Sequence, residues 1–232
     1  MTSPVDGLPT SSLRLVDLTL EVAAHWRFHA DLVPVTSLAK GDHSSVTRIT
    51  LGSHGYTHVD APAHMIPGGL TLDQVPLDRF WGEAAVVDLR RVGDDDPITD
   101  ALLAERAGHV KEGDIALLCT GLGDRHSIWT RAFWQHAPWL DRSAAEWLRE
   151  RGVKGVGYDF PQDQVIRRLP EPALKLSDFP AHQVLLGADI VQVEYLVNLT
   201  ALKRERVLFF ALPLKLGALD GSPCRAVALE AV

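Results

Sequence analysis

The sequence predicts an α/β fold: a single β-rich mixed domain spanning residues 1–232. Short apolar runs of strand length outnumber the helical patterns, and the two kinds do not alternate regularly. No repeat, linker or shift in composition divides the chain, and 232 residues suffice for one substantial core.

Residues 1–13, rich in Pro, Ser, Thr and Gly, read as a loose lead-in. Leu13 to Leu20 then suits a first strand, and Ser45 to Leu51 alternates β-branched and polar residues as a second. Ala84–Leu89, Ile115–Thr120 and Val153–Tyr158 are short apolar runs of buried-strand type. Gln183–Leu186, Ile190–Val193 and Leu208–Leu212 extend the series. Two helices fall between them. Thr99–Ala107 opens with capping residues Thr99 and Asp100. Ser143–Arg151 has Ser143 as cap, Glu146 three residues on, and Gly152 as its left-handed stop.

Hydrophobic and charged fractions of 46% and 23% are those of an ordinary soluble globular protein. A net charge of −7 argues against a nucleic-acid partner, which would want a basic face. The apolar run Val207–Leu214 is broken by Pro213 and too short to span a membrane. No secretory signal pattern opens the chain. Cys119 and Cys224 lie far apart in apolar runs and read as buried free thiols of a cytoplasmic protein.

The chemistry concentrates in one place. Ser53 to His64 holds three of the ten histidines, and His54, His58, Asp60 and His64 are all groups that bind divalent metals or move protons. In an extended chain His58 and Asp60 point to one face about 6.6 Å apart, within reach of a shared ion. His54 would stand about 13 Å from His58 in a strand. A three-ligand site therefore predicts a tight bend after the Ser45–Leu51 strand, and Gly55 is suited to supply it. Three protein ligands leave an open position for activated water, and His64 is the candidate proton carrier. Thr57 reads as a hydrogen-bonding turn residue. Trp26, Phe28 and Trp81 are candidates to line an apolar substrate pocket.

The run His54-Gly-Tyr-Thr57-His58-Val-Asp60-Ala-Pro62-Ala-His64 resembles the signature of the cyclase family of metal-dependent hydrolases, of kynurenine formamidase and isatin hydrolase type. It departs once, with Tyr56 where the family usually has Gly. That ring could narrow the pocket, hydrogen-bond the substrate or point into the core. The resemblance continues through Met65-Ile-Pro-Gly-Gly69, Val75-Pro-Leu-Asp-Arg-Phe80, Cys119-Thr-Gly121, Asp124-Arg125, Gly157-Tyr-Asp159 and Asp220-Gly-Ser-Pro223.

The resemblance implies a swivelling β/β/α fold, assembly as a homodimer or homotetramer, and a site for two divalent ions, Zn²⁺ or Mn²⁺. His54, His58 and Asp60 would hold the first ion. Asp60, His182 and Glu194 would hold the second. Glu194 follows the apolar run Ile190–Val193, where a buried acid needs a cation or partner. The implied activity is hydrolysis of a small-molecule C–N amide bond, in an aryl formamide such as N-formylkynurenine or a cyclic amide such as isatin. A cyclising or dehydrating lyase is the alternative, and a non-catalytic metal-binding protein is a further one.

Overall fold

A computed structural model describes residues 12–168 and 173–232, so most of the expected lead-in, residues 1–11, lies outside the described residues. Among the described residues twelve strands run in chain order as β1 (Leu13–Asp17), β2 (Ala30–Thr36), β3 (Val46–Leu51), β4 (His58–Asp60), β5 (Trp81–Asp88) and β6 (Pro97–Ile98). They continue as β7 (Ile115–Cys119), β8 (Trp139–Leu140), β9 (Gly155–Tyr158), β10 (Val191–Glu194), β11 (Arg206–Pro213) and β12 (Gly221–Ala231). The α-helices among the described residues are α1 (Asp100–Arg106), α2 (Leu122–Arg125), α3 (Arg131–Gln135), α4 (Arg142–Glu150) and α5 (Pro180–Leu186).

Seven strands close into a barrel in the order β12-β11-β5-β7-β9-β10-β4, with β4 pairing back onto β12. The β5-β7-β9-β10 segment is parallel and the remaining pairs are antiparallel. Closure removes the sheet edges that would otherwise expose unpaired backbone. Val59, Leu117, Val193, Phe209, Ala211, Ala226 and Ala228 fill the interior. So many alanines fit because a small barrel leaves little room for side chains. On the outer face, Val87, Leu118 and Tyr158 pack under Leu103, Leu148 and Leu185 of the helices. Each fully buried Leu or Val contributes about 1.5–3 kcal/mol.

The alternation of strand residues decides where the chemistry goes. Val59 and Val193 point into the barrel, so His58, Asp60 and Glu194 point outward, toward α5.

The expected strands are present as β1, β3, β5, β7, β9, β10 and β11, with one exception. Gln183–Leu186 belongs to helix α5, where Ala181, His182, Val184, Leu185 and Leu186 are all buried. A short apolar run buried on every side carries no periodicity to tell helix from strand, and Pro180 in the first turn was the missed start signal. Strand β12 escaped notice because it opens with Gly, Ser and Pro and fills its inward positions with alanine. The Ser45–Leu51 strand lies outside the barrel, paired with Ala30–Thr36 as a largely exposed hairpin.

Helix α1 is capped by Thr99, whose hydroxyl accepts from the Leu102 amide. Helix α4 starts earlier than expected: Asp141 is its cap, accepting from Ala144 N at 2.9 Å, and Ser143 donates to that same carboxylate. Gly152 has a φ of 74° just past the end of the helix, as its position required. Cys119 and Cys224 are free, the first buried and the second half-buried. Among the described residues no helix is long and apolar enough to cross a membrane.

Candidate metal centre

Strand β4 places two of the candidate ligands directly. In the β10–β4 ladder Glu194 stands opposite His58, and Gln192 opposite Asp60. All four are buried. His58 Nε2 lies 3.2 Å from Asp60 Oδ1 and 3.7 Å from Glu194 Oε2. From helix α5, His182 Nε2 comes within 3.5 Å of Asp60 Oδ2 and 3.1 Å of Glu194 Oε1.

The predicted bend folds His54 back over Asp60, with Nδ1 2.7 Å from Oδ1. Its left-handed residue is Tyr56, φ 59°, rather than Gly55. A side chain there costs about 1–2 kcal/mol in backbone strain, which explains why glycine is favoured at this position. Tyr56 itself points into the core: its hydroxyl donates to Ala23 O, and its ring packs 5.1 Å from that of Phe28. Thr57 fixes the strand entry, donating to Tyr195 O at 2.7 Å while accepting from Leu20 N.

Each of these three histidines has one ring nitrogen tied to an oxygen and the other turned toward Asp60. His58 Nδ1 donates to Tyr56 O at 2.8 Å, His182 Nδ1 to Asp163 Oδ2 at 2.5 Å, and His54 Nε2 to Asp220 Oδ2 at 2.7 Å. Such partners fix the tautomer and aim the second nitrogen at a ligand. His58 Nε2 and Asp60 Oδ2 are buried with no hydrogen-bond partner among the described residues. Buried orphans of this kind are costly unless a cation satisfies them. The donor set therefore fits a divalent ion, in two overlapping groups: His58, Asp60 and Glu194, and His54, Asp60 and His64. Asp60 is common to both.

Burial opposes the charge on His54, yet the carboxylates of Asp60 and Asp220 outweigh it and hold the ring at about 9. Burial likewise opposes charge on Asp60, which the surrounding His58, His182 and His54 rings keep well below the usual carboxylate range. His64 behaves differently. Burial, aided by the neighbouring His54 and His182, lowers it below its ordinary value against the pull of Asp60 and Glu194. It stacks on His54 at 3.7 Å between ring centroids and keeps Nδ1 3.8 Å from Asp220.

The cluster opens into a cavity of about 530 Å³. Trp26 and Phe28 line it, as expected. Trp81 does not: it lies on the barrel strand β5 and stacks on Phe210 at 5.7 Å, away from the cavity.

Several participants were not singled out from the sequence. Asp163 accepts from the Ala181 and His182 amides as well as the His182 ring, so one buried carboxylate caps α5 and orients its histidine. Gln162 Nε2 donates to Glu194 Oε1 and lies 3.1 Å from His182 Nε2. Beside Asp220, Gly221 leaves room for His54, whose Cε1 would lie 2.6 Å from any added Cβ. Tyr195, at φ 54°, turns the chain off β10 and brings its ring into the cavity wall. Arg27 lines the same cavity. Only the Asp220-Gly-Ser-Pro223 motif carried a hint of these, because burial and capping are not visible in single residue identities.

A closed barrel with a buried His, Asp and Glu cluster at the foot of an apolar cavity defines a protein built to hold a divalent cation against a small molecule. The family model described as "Putative cyclase" matches residues 16–162, and the chain belongs to this cyclase family. It is 32% identical to a kynurenine formamidase of Erythrobacter litoralis over 193 residues, covering 82% of this chain and 80% of that one. A kynurenine formamidase of Salinibacter ruber is 33% identical over 198 residues, covering 84% and 86%. An isatin hydrolase A from Labrenzia aggregata, solved with benzyl benzoate, superposes with a TM-score of 0.79 at 25% identity over 98% of each chain.

Proposed function

We propose that the chain is a metal-dependent amide hydrolase that cleaves a C–N bond of a small aromatic amide. One observation carries the reading: three histidines, each held by an oxygen on one ring nitrogen, direct the other at a buried carboxylate beneath a cavity walled by Trp26 and Phe28. The amide class rests on the relatives, which are formamidases and isatin hydrolases by name.

His54, His58 and Asp60 would hold one ion and Asp60, His182 and Glu194 a second, either Zn²⁺ or Mn²⁺. A bound divalent ion supplies Lewis acidity for the scissile carbonyl and acidifies water. The chain does the rest. Asp163, Tyr56 O and Asp220 keep the three rings in register. Trp26 and Phe28 offer the aromatic part of the amide an apolar wall. His64, held neutral near pH 7, takes the proton of the attacking water and returns it to the leaving nitrogen. Candidate substrates are aryl formamides such as N-formylkynurenine and cyclic amides such as isatin. We further propose a single domain over residues 1–232, a cytoplasmic location and assembly as a homodimer or homotetramer.

Product analysis in ¹⁸O-labelled water tests the reaction class. Hydrolysis places label in the acid product. An unlabelled product formed by ring closure or loss of water would make the chain a lyase.

A further inference from the structure

The two proposed ion positions differ in what already engages their ligands. At the first, His54 Nδ1 and His58 Nε2 both face Asp60 Oδ1, at 2.7 and 3.2 Å, and His58 Nε2 has no hydrogen-bond partner among the described residues. At the second, His182 Nε2 and Glu194 Oε1 stand 3.1 Å apart, and one side chain engages both. Gln162 Nε2 donates to Glu194 Oε1 and lies 3.1 Å from His182 Nε2. Neither group of converging donors, His58 with Asp60 and Glu194 or His54 with Asp60 and His64, includes His182.

Gln162 has the hydrogens this requires. Its NH₂ carries two, one for each acceptor. Gln192 Oε1, at 3.5 Å, is beyond an ordinary N–H···O bond and already accepts from the Tyr158 hydroxyl at 2.8 Å. The opposite placement of the amide would set its oxygen against the Glu194 carboxylate, so the NH₂ faces it. The Gln162 side chain is buried and its Oε1 has no hydrogen-bond partner among the described residues, so the amide is held by its NH₂. Asp163 keeps the His182 proton on Nδ1, which leaves Nε2 a single in-plane lone pair. An N–H and a metal ion cannot share that lone pair.

We propose that Gln162 is a latch on the second ion position: its NH₂ bridges His182 and Glu194 as a neutral stand-in for a cation, so the first ion binds directly and the second only when the latch is displaced. This rests on the two-ion reading of the site and names the residue that makes the two positions unequal. Gln162 acts through His182 and Glu194 and is thus a positioning residue. Displacing it breaks two hydrogen bonds, one of them to a carboxylate, and strands a buried amide. The first ion meets no such cost.

The test is a titration of metal-free protein with Zn²⁺ against a competing chelator, which reads two stepwise constants without turnover. In the wild type the second should be weaker than the first by about tenfold or more. Gln162→Ala should tighten the second by about tenfold and leave the first within about threefold. Gln162→Met keeps the length of the side chain and lacks the donor, so it should shift the second constant the same way even where the alanine variant fails to fold. A wild type that takes one ion where a folded variant takes two is the same latch held harder. Two equal constants in the wild type, or a second constant that tightens by less than about twofold in the folded variants, overturn the proposal. One equivalent bound by the wild type and the folded variants alike overturns it too, because no second position then exists to latch. Wild-type protein that binds no Zn²⁺ overturns the metal reading itself, whereas an unchanged second constant with two ions bound removes the latch alone.

Discussion

Glu194 faces His58 across the β10–β4 ladder, with Oε2 3.7 Å from Nε2. The two residues are far apart in the chain, and register alone makes them neighbours. A slip of one residue in either strand would turn its own ligand into the barrel. The apolar partners Val59 and Val193, packed inside, therefore specify the candidate metal centre as firmly as the ligands do.

His64→Ala should retain metal and lose turnover. Removing a positioned proton carrier costs about 10²–10⁴-fold in kcat. Metal stoichiometry and kcat measured on the same sample check this. Loss of an equivalent of metal would instead make His64 a ligand with His54 and Asp60.

Asp163→Asn should weaken metal binding about 10–100-fold, the usual cost of losing a carboxylate behind a ligating histidine. The amide can still cap α5 through its oxygen, but its NH₂ cannot accept from His182 Nδ1. A competition titration against a chelator reads the affinity. An unchanged constant would remove Asp163 from the site.

Tyr56→Phe should leave KM within twofold and cost about 1 kcal/mol of stability, the value of one buried hydrogen bond. Tyr56→Gly relieves about 1–2 kcal/mol of left-handed strain. It also leaves a ring-sized hole worth about 3–5 kcal/mol, so it should be destabilising overall. A large KM change in Tyr56→Phe would place the phenol against substrate.

Glu230 ties the end of β12 to the chain around it, accepting from Arg14 Nε at 2.7 Å and from the Lys203 and Arg204 amides at 2.8 and 3.1 Å. Burial opposes its charge, but these donors hold its carboxyl below the ordinary value. An acid whose folded value is depressed contributes stability above its unfolded value and loses it as pH falls through the folded one. Glu230→Gln should thus lower stability at pH 7 by about 1–3 kcal/mol. Denaturant midpoints compared at neutral pH and below about pH 4 should show the gap closing in acid.

Much of this was legible in the residues. The histidine cluster and the bend after Leu51 followed from ligand chemistry and strand geometry, whereas His182 and Glu194 came chiefly from the family resemblance. Barrel closure was not legible, because β12 begins with Gly221 and Pro223 and contributes alanines where a strong strand signal would need larger side chains. The bend itself was anticipated at Gly55, whereas the strain sits on Tyr56, a residue type that gives no hint of a left-handed conformation. Asp163 stayed hidden for a different reason. It acts through neighbours brought up by the fold, the α5 amides.

Metal-free protein, reconstituted stepwise with Zn²⁺ or Mn²⁺ and assayed for release of formate from aryl formamides and for ring opening of isatin, tests the central claim most directly. Hydrolysis should be absent without metal, rise with the ions bound, and disappear in Asp60→Asn, which removes the carboxylate common to both ligand groups. Protein with its metal bound that hydrolyses none of these amides would contradict the account.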